Sequence, residues 1–250
     1  MQPLAALSRD ELAHIDSLIE HFSQNTPLLD RLRKQLLNAV LDADFFAPHV
    51  HSVRSRLKAP DHLKDKLARK MIESRGKETQ FSLTVDNLFH KLNDLVGLRI
   101  LHLHAQQIEP INQGLMDLFS EFKYKRVEGP IARTWDDETR DYFKTLGVRT
   151  IKSPSLYTSV HYVIQASDKP RCTAEIQVRT LAEELWGEVD HSINYPHKSE
   201  SLACREQIKA LARATSSCSR LVDSIYRSYN DYTSTYKPRA SSRKVVKKTR

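Results

Sequence analysis

The sequence contains little glycine, and its glycines are far apart. Only six occur among 250 residues, and no two of them lie close together. A phosphate-binding P-loop and a dinucleotide-binding G-x-G-x-x-G turn both need clustered glycines, so both are excluded. If the protein binds phosphates, it must use side chains rather than a glycine-rich backbone loop.

Cysteine and long apolar runs are also scarce. The three cysteines, Cys172, Cys204 and Cys218, are widely spaced and odd in number, which argues against a disulfide framework and against a Cys-x-x-Cys zinc site. No apolar run approaches the roughly 18 residues that a membrane-spanning helix needs, and the first residues lack the features of a secretory signal. We therefore expect a cytoplasmic protein that does not contact a membrane.

Positive charge is concentrated in two parts of the sequence, whose net charge is +8. Residues 237–250 carry seven Lys or Arg and no acid, and residues 54–77 carry nine Lys or Arg against three acids. The tail has no periodicity, so we predict that it is disordered and serves either to solubilise the chain or to contact a polyanion such as RNA. The internal segment indicates either an anionic ligand or a solvated surface.

Hydrophobic periodicity predicts a single α+β domain with a small sheet and many helices. Ser8 and Glu11 form a capping-box pattern that begins the first helix. The clearest strand is 172–180, where Ala174, Ile176 and Val178 alternate with polar residues. The predicted helices cover 9–22, 27–43, 60–74, 84–93, 108–122, 181–193 and 201–236, the predicted strands cover 95–104, 161–165 and 172–180, and residues 126–150 have no assignment.

Three polar side chains, Glu175, Gln177 and Arg179, share the other face of strand 172–180. They need polar partners, which are either a ligand or, at an exposed sheet edge, water. Asp94 directly precedes strand 95–104 and can approach Glu175 if the two strands are neighbours. Such a pair suits Mg²⁺, which combines one or two protein carboxylates with substrate phosphates. The alternative is that Asp94 is a loop acid with a capping role.

Two further groups of residues have simpler interpretations. His102 and His104 lie on one strand face, but a third zinc ligand at standard spacing is missing, so we interpret them as structural. The predicted helix 201–236 carries one apolar stripe from Ile208 to Tyr229. Its tyrosine-rich end indicates packing or an oligomer contact and contains Tyr226, Tyr229, Tyr232 and Tyr236.

Four short segments occur in a characteristic order: DLVGLR at 94–99, YTSVH at 157–161, EIQVRT at 175–180 and WGEVDH at 186–191. Over about residues 50–198 the sequence resembles the RelA/SpoT-type alarmone synthetases. The resemblance implies a nucleotidyltransferase-like mixed sheet flanked by helices. It also implies a pyrophosphokinase core at 46–198. Periodicity and charge place an N-terminal helical segment at 1–45 before this core, and a long C-terminal helix at 199–236 and a basic tail at 237–250 after it.

The resemblance implies a donor site for ATP. Arg56 and Arg99 would sandwich the adenine, a role that suits the flat guanidinium group. Lys58, Lys66 and Arg69 would bind the phosphates. These residues account for part of the basic segment 54–77.

The resemblance also implies a catalytic pair and an acceptor site. Asp94 and Glu175 would hold Mg²⁺, and Glu175 would also assist the attacking hydroxyl. Tyr157 would stack on the acceptor base, and His161 would contact the acceptor's phosphates or ribose. The other acceptor-binding candidates are Lys152, Gln177 and Arg179.

The implied reaction transfers the β,γ-pyrophosphate of ATP to the ribose 3′-hydroxyl of GDP or GTP, which makes (p)ppGpp and releases AMP. Two side chains differ from the family pattern, His62 in place of a small hydroxyl residue and Leu156 in place of glycine, and the loop 151–155 is short. The acceptor therefore stays open among GDP, GTP, GMP, an adenine nucleotide and tRNA.

Two alternative functions stay open, and two further expectations accompany them. The alternatives are a toxin-like relative that pyrophosphorylates the 3′ end of tRNA and has a neutralising antitoxin as partner, and a non-catalytic nucleotide sensor. A homo-oligomer is compatible with the last helix. The sequence has no His-Asp dipeptide, so the hydrolase half of bifunctional relatives is not expected.

Overall fold

A mixed six-stranded sheet lies at the centre of the protein, whose computed structural model describes residues 3–77, 81–166, 171–195 and 198–236. The strands are β1 (Ser52–Leu57), β2 (Val96–His102), β3 (Lys125–Thr134), β4 (Arg149–Lys152), β5 (Ser159–Gln165) and β6 (Thr173–Thr180). Their order across the sheet is β1-β2-β6-β5-β3-β4. The β2–β6 and β3–β4 pairs are parallel, and the other neighbours are antiparallel.

Helices surround the sheet, which confirms the predicted α+β class. Short 3₁₀ turns at Pro3–Ala6, Asp44–Phe46 and Ala105–Gln107 connect some of the elements. Within the described ranges the α-helices are α1 (Arg9–Gln24), α2 (Thr26–Leu41), α3 (Pro60–Gly76), α4 (Leu88–Lys91), α5 (Ile108–Glu121), α6 (Asp137–Thr145), α7 (Leu181–Asn194) and α8 (Leu202–Tyr236).

One face of the sheet packs into the main hydrophobic core. Leu98 and Ile100 of β2 lie there beside Ile176 of β6, and the N-terminal helix α1 contributes Ile15 and Leu18 to the same core. All five side chains are almost completely buried, and each such burial stabilises the fold by roughly 1.5–3 kcal/mol. The alternation predicted for strand 172–180 is therefore confirmed, because its apolar positions point into this core.

The opposite face of the sheet is left for polar side chains and is covered by α7. Thr180 begins this helix with a capping box, in which its hydroxyl accepts from the Glu183 amide while Glu183 accepts from the Thr180 amide. The helix contacts β2, β6 and α8, and Trp186 packs against Ile208 and Ala212 of α8 in a second, smaller hydrophobic cluster. This packing leaves a space between α7 and the polar face of the sheet.

Two predicted elements need correction. The helix predicted over 84–93 is wrong for most of its length, because the Asn87 side chain accepts from the Thr84 amide and donates to the Ser82 carbonyl, which favours a turn. The apolar stripe predicted along the last helix is buried only in its first half. Ile208 packs under α7, whereas Ile225 and Tyr229 are each 57% exposed.

Three strands, β1, β3 and β4, have no counterpart among the strands that the sequence predicts. Residues 54–77 divide into β1 and α3, and residues 126–150 contain parts of β3 and β4 together with α6. The predicted disordered tail, 237–250, lies outside the described residues. None of the helices in the described ranges is long and apolar enough to cross a membrane.

Gly129 is held at a point where no side chain fits. Its φ is +95°, and an added Cβ would lie 2.3 Å from the His161 carbonyl oxygen and 2.9 Å from the Tyr162 Cα. The residue lies in β3 where the register with β5 shifts, so the two backbones approach closely. Glycine here is a requirement of both conformation and space.

Gly129→Ala should therefore lower the free energy of unfolding by at least about 1–3 kcal/mol. Urea-induced unfolding followed by circular dichroism measures this value. Gly76→Ala is the matched control, because Gly76 ends α3 with open space around its Cα and alanine should be neutral or slightly stabilising there. Equal unfolding midpoints for the two variants would contradict the interpretation.

Candidate functional site

A cleft of about 640 Å³ lies between α7 and the polar face of β1, β2, β6 and β5. It brings together seven of the predicted site residues, which come from segments far apart in the sequence. They are Arg56, Arg99, Tyr157, His161, Glu175, Gln177 and Arg179.

Two arginines line the β1–β2 side of the cleft. Arg56 is opposite Gly97 in the antiparallel register, and its Cγ lies 3.4 Å from where a Cβ at Gly97 would be, so the Arg56 side chain runs directly over this glycine. Arg99 donates through Nη1 to Glu184 Oε1 at 2.8 Å and to Glu188 Oε1 at 2.5 Å. The β-sheet thus presents two guanidinium groups on one wall.

Asp94, which lies just before the start of β2, forms ion pairs with two lysines. Lys58 Nζ lies 3.0 Å and Lys66 Nζ 2.7 Å from Asp94 Oδ2. Burial would raise the pKa of Asp94, but the two ammonium groups hold it below its usual value. Burial lowers the pKa of Lys58, and the Asp94 charge opposes this. The other carboxylate oxygen of Asp94, Oδ1, is buried with no hydrogen-bond partner in the described structure.

Glu175 is the second carboxylate of the site. Its Oε1 lies 3.0 Å from His161 Nδ1, and its Oε2 accepts from Gln177 Nε2 at 3.0 Å. Burial would raise the pKa of Glu175, but the His161 contact keeps it below its usual value, while the charge of Asp94 acts in the opposite direction. The two carboxylates are therefore close enough for the charge of Asp94 to affect the pKa of Glu175. Oxygen atoms in this arrangement can supply ligands for a hard divalent cation.

An aromatic wall closes the cleft beside α3. The Arg69 guanidinium lies over the Tyr195 ring, 5.6 Å from its centroid, and its Nε donates to Asp65 at 2.9 Å. The Tyr195 ring stacks on His191 at 4.5 Å and meets His62 edge-on at 5.2 Å. His62, which departs from the family pattern, is thus part of this wall.

Tyr157 and Arg179 form the opposite end of the cleft. The Arg179 guanidinium carbon is 5.7 Å from the centre of the Tyr157 ring, within the range of a cation–π contact. Burial raises the pKa of the Tyr157 hydroxyl, which Arg179 opposes. The Tyr157 ring also packs at 5.6 Å from His161 and at 6.5 Å from Trp186.

Lys152 is the predicted acceptor-binding residue that does not line this cleft. It ends the edge strand β4, is exposed, and lines a separate shallow depression with Arg213 and Arg220. His102 and His104 also lie away from the cleft. His102 Nδ1 is 3.0 Å from the His104 carbonyl oxygen, and the His104 ring stacks on Tyr226 at 4.0 Å.

Sequence reasoning missed two residues of α7 that the structure brings into the site. Glu184 is buried and contacts arginines of three strands, and Gly187 packs directly against the Arg179 guanidinium. Glu183 and Glu184 are adjacent acids, and only the folded structure shows that the first caps the helix while the second contacts arginines that line the cleft. Gly187 stands within the WGEVDH segment, but its packing role had no signal in the sequence.

Residues 55–200 match the sequence model of a protein family that is described as the region found in RelA and SpoT proteins. The chain belongs to this family. It is 27% identical over 177 residues to GTP pyrophosphokinase YjbM of Bacillus subtilis (strain 168), an alignment that covers 69% of this chain and 68% of that protein. The fold is shared with small alarmone synthetase 1 from Bacillus subtilis in two crystal structures. The structure bound to pppGpp is 19% identical in sequence with a TM-score of 0.56, and the match covers 84% of this chain and 95% of that one. The structure bound to AMPCPP is 16% identical with a TM-score of 0.53, and the match covers 84% of this chain and 97% of that one.

Asp94→Asn should destabilise the protein by roughly 1–3 kcal/mol at neutral pH, because Lys58 and Lys66 lose their shared counter-charge in a partly buried position. The folded pKa of Asp94 is lower than its unfolded value, so this stabilisation is complete above the unfolded pKa of about 3.9 and is lost as the pH falls through the folded pKa. The difference between the two proteins should shrink only in strong acid. Urea unfolding over a pH series measures it.

Asp16→Asn is the matched control for that experiment. Asp16 pairs with Lys64 at 2.7 Å but its side chain is 59% exposed, so its loss should cost no more than about 0.5–1 kcal/mol. If the Asp94 and Asp16 variants lose the same stability, or if the Asp94 effect has no dependence on pH, the proposed charge pairing is wrong.

Proposed function

We propose that this protein transfers the β,γ-pyrophosphate of ATP to the ribose 3′-hydroxyl of GDP or GTP. The observation that carries the proposal is the two-sided cleft, with arginines on one side, an aromatic ring and a histidine on the other, and Glu175 between them. The family relatives support it, since small alarmone synthetase 1 binds both the ATP analogue AMPCPP and pppGpp.

The β1–β2 side provides the donor subsite. Arg56 and Arg99 would hold the adenine between two flat guanidinium groups. Lys58, Lys66 and Arg69 would bind the phosphates, so that phosphate oxygens replace or join the Asp94 oxygen as partners of the two lysines. A protein without a glycine-rich loop can thereby neutralise a triphosphate with side chains alone.

Mg²⁺ is the divalent cation that fits the acidic pair. Asp94 and Glu175 present few protein ligands, which matches the habit of Mg²⁺ to complete its shell with substrate phosphates and water. The unpartnered Asp94 Oδ1 is the oxygen available to it. When bound, the ion would supply neutralisation of the charge that develops on the phosphate oxygens.

The β5–β6 side provides the acceptor subsite and the base. Tyr157 would stack on the acceptor base, with Gln177 and Arg179 supporting the same wall. Glu175 would accept the proton of the 3′-hydroxyl as that oxygen bonds to the β-phosphorus, and the bond from the β-phosphorus to the bridging oxygen of AMP would break. His161 would hold the Glu175 carboxylate in place, and its buried Nε2, which has no partner in the described structure, is free to contact the acceptor.

Incubation with labelled ATP, Mg²⁺ and a panel of GDP, GTP, GMP, ADP and tRNA tests the proposal. We expect a labelled guanosine product with GDP or GTP, and a loss of about 100-fold or more in rate for Glu175→Gln, because general-base assistance is removed. Absence of any guanosine product would overturn the proposal. Transfer to tRNA alone would support the toxin-like alternative instead.

Tyr157→Ala should weaken acceptor binding while sparing the donor. Base–aromatic stacking is worth about 1–3 kcal/mol, so the KM for the acceptor should rise roughly 5- to 150-fold. AMPCPP affinity measured without acceptor should stay within about two-fold. Tyr157→Phe keeps the ring and serves as the control. Equal losses for donor and acceptor would show that the tyrosine does not separate the two subsites.

A further inference from the structure

Glu184 is a buried acid that contacts arginines on both the donor side and the acceptor side of the cleft. Only 5% of the residue is exposed. Its Oε1 accepts from Arg99 Nη1 at 2.8 Å, and its Oε2 forms a close ion pair with Arg179 Nη2. Arg54 approaches the same carboxylate at 3.5 Å from β1. One side chain of α7 therefore holds arginines that come from neighbouring strands.

The two principal partners of Glu184 belong to different subsites. Arg99 lies on β2 in the donor wall with Arg56, whereas Arg179 lies on β6 over the Tyr157 ring of the acceptor wall. A continuous series of contacts leads from Tyr157 through Arg179 and Glu184 to Arg99. Among the described residues, this carboxylate is the group that contacts both arginines.

Gly187 restricts Arg179 from the other side. An added Cβ at Gly187 would lie 2.5 Å from Arg179 Nη1 and 3.2 Å from its Cζ. The Arg179 side chain is only 3% exposed, so it has little room to retreat. Movement of the Glu184 carboxylate therefore changes where the Arg179 guanidinium can lie.

We propose that Glu184 is a positioning residue that couples binding of the ATP donor to binding of the acceptor nucleotide, an inference that rests on the function proposed above. When the donor base stacks on Arg99, the Glu184 carboxylate that Arg99 contacts is fixed as well. Arg179 is then already held in place, so the acceptor loses less free energy to ordering the Arg179 side chain when it binds. Coupling of this kind is reciprocal, so the acceptor tightens donor binding by the same factor. A merely structural Glu184 would change stability without changing this factor.

The coupling factor can be measured by calorimetry with full-length protein. AMPCPP affinity is determined with and without saturating GDP in the presence of Mg²⁺, and the ratio of the two dissociation constants is the coupling factor. We expect a factor of at least about five for the unmodified protein. For Glu184→Gln we expect a factor within about two of unity, with thermal unfolding showing that the variant is folded.

Two further variants make the test specific. Glu188→Gln is the control, because the Glu188 side chain is 54% exposed and its ion pair is with Arg99, whereas Arg179 acts on it only through charge at longer range, so AMPCPP affinity should change while the coupling factor is kept. Gly187→Ala leaves the carboxylate intact but displaces Arg179, so it should reduce the coupling factor as Glu184→Gln does. This variant preserves the test if Glu184→Gln fails to fold.

The outcomes separate the two proposals. If the unmodified protein binds AMPCPP and GDP with no coupling, or if both Glu184→Gln and Gly187→Ala keep the full factor, Glu184 does not couple the subsites although the proposed function stands. If the protein binds AMPCPP but no guanine nucleotide, the proposed function fails, and the coupling proposal fails with it.

Discussion

The parallel pairing of β2 with β6 is the constraint on which the site depends. In this register Gly97 lies beside Glu175, so the segment that enters β2 carries Asp94 to the same end of the sheet as the Glu175 side chain. The two acids are 81 positions apart in the sequence, and only this register brings their charges close enough to affect each other. Their mutual repulsion is opposed by Lys58 and Lys66 at one carboxylate and by His161 and Gln177 at the other.

The division of the sheet into two faces explains why such a charged site is compatible with a stable fold. Every second residue of β2, β5 and β6 enters the same core as the N-terminal helices, and that burial stabilises the strands regardless of what the other face carries. The other face can then present acids, amides and guanidinium groups beneath α7. Helix α7 orders this face by placing Glu184 between two arginines and Gly187 against one of them.

The sequence predicts the elements that have strong periodicity and the site residues that stand in ordered motifs. Helices α1, α3 and α5 and strand β6 follow from amphipathic patterns, caps and alternation. Strands β1, β3 and β4 do not, because two of them lie at the edges of the sheet and the third contains the irregular register at Gly129, so none has a regular apolar repeat. The resemblance to the family predicts seven of the residues that line the cleft, whereas the burial of Glu184 depends on tertiary packing and has no signal in a pair of adjacent glutamates.

The central claim is that Asp94 and Glu175 act on one divalent ion beside the donor phosphates. The most direct test is the Mg²⁺ dependence of AMPCPP affinity in the unmodified protein, in Asp94→Asn, in Glu175→Gln and in the double variant. The account predicts that Mg²⁺ tightens AMPCPP binding in the unmodified protein and that each single substitution weakens this effect. In the double variant the Mg²⁺ effect should be absent, and its loss should differ from the sum of the losses in the two single variants. A Mg²⁺ effect that survives undiminished in the double variant would contradict the account.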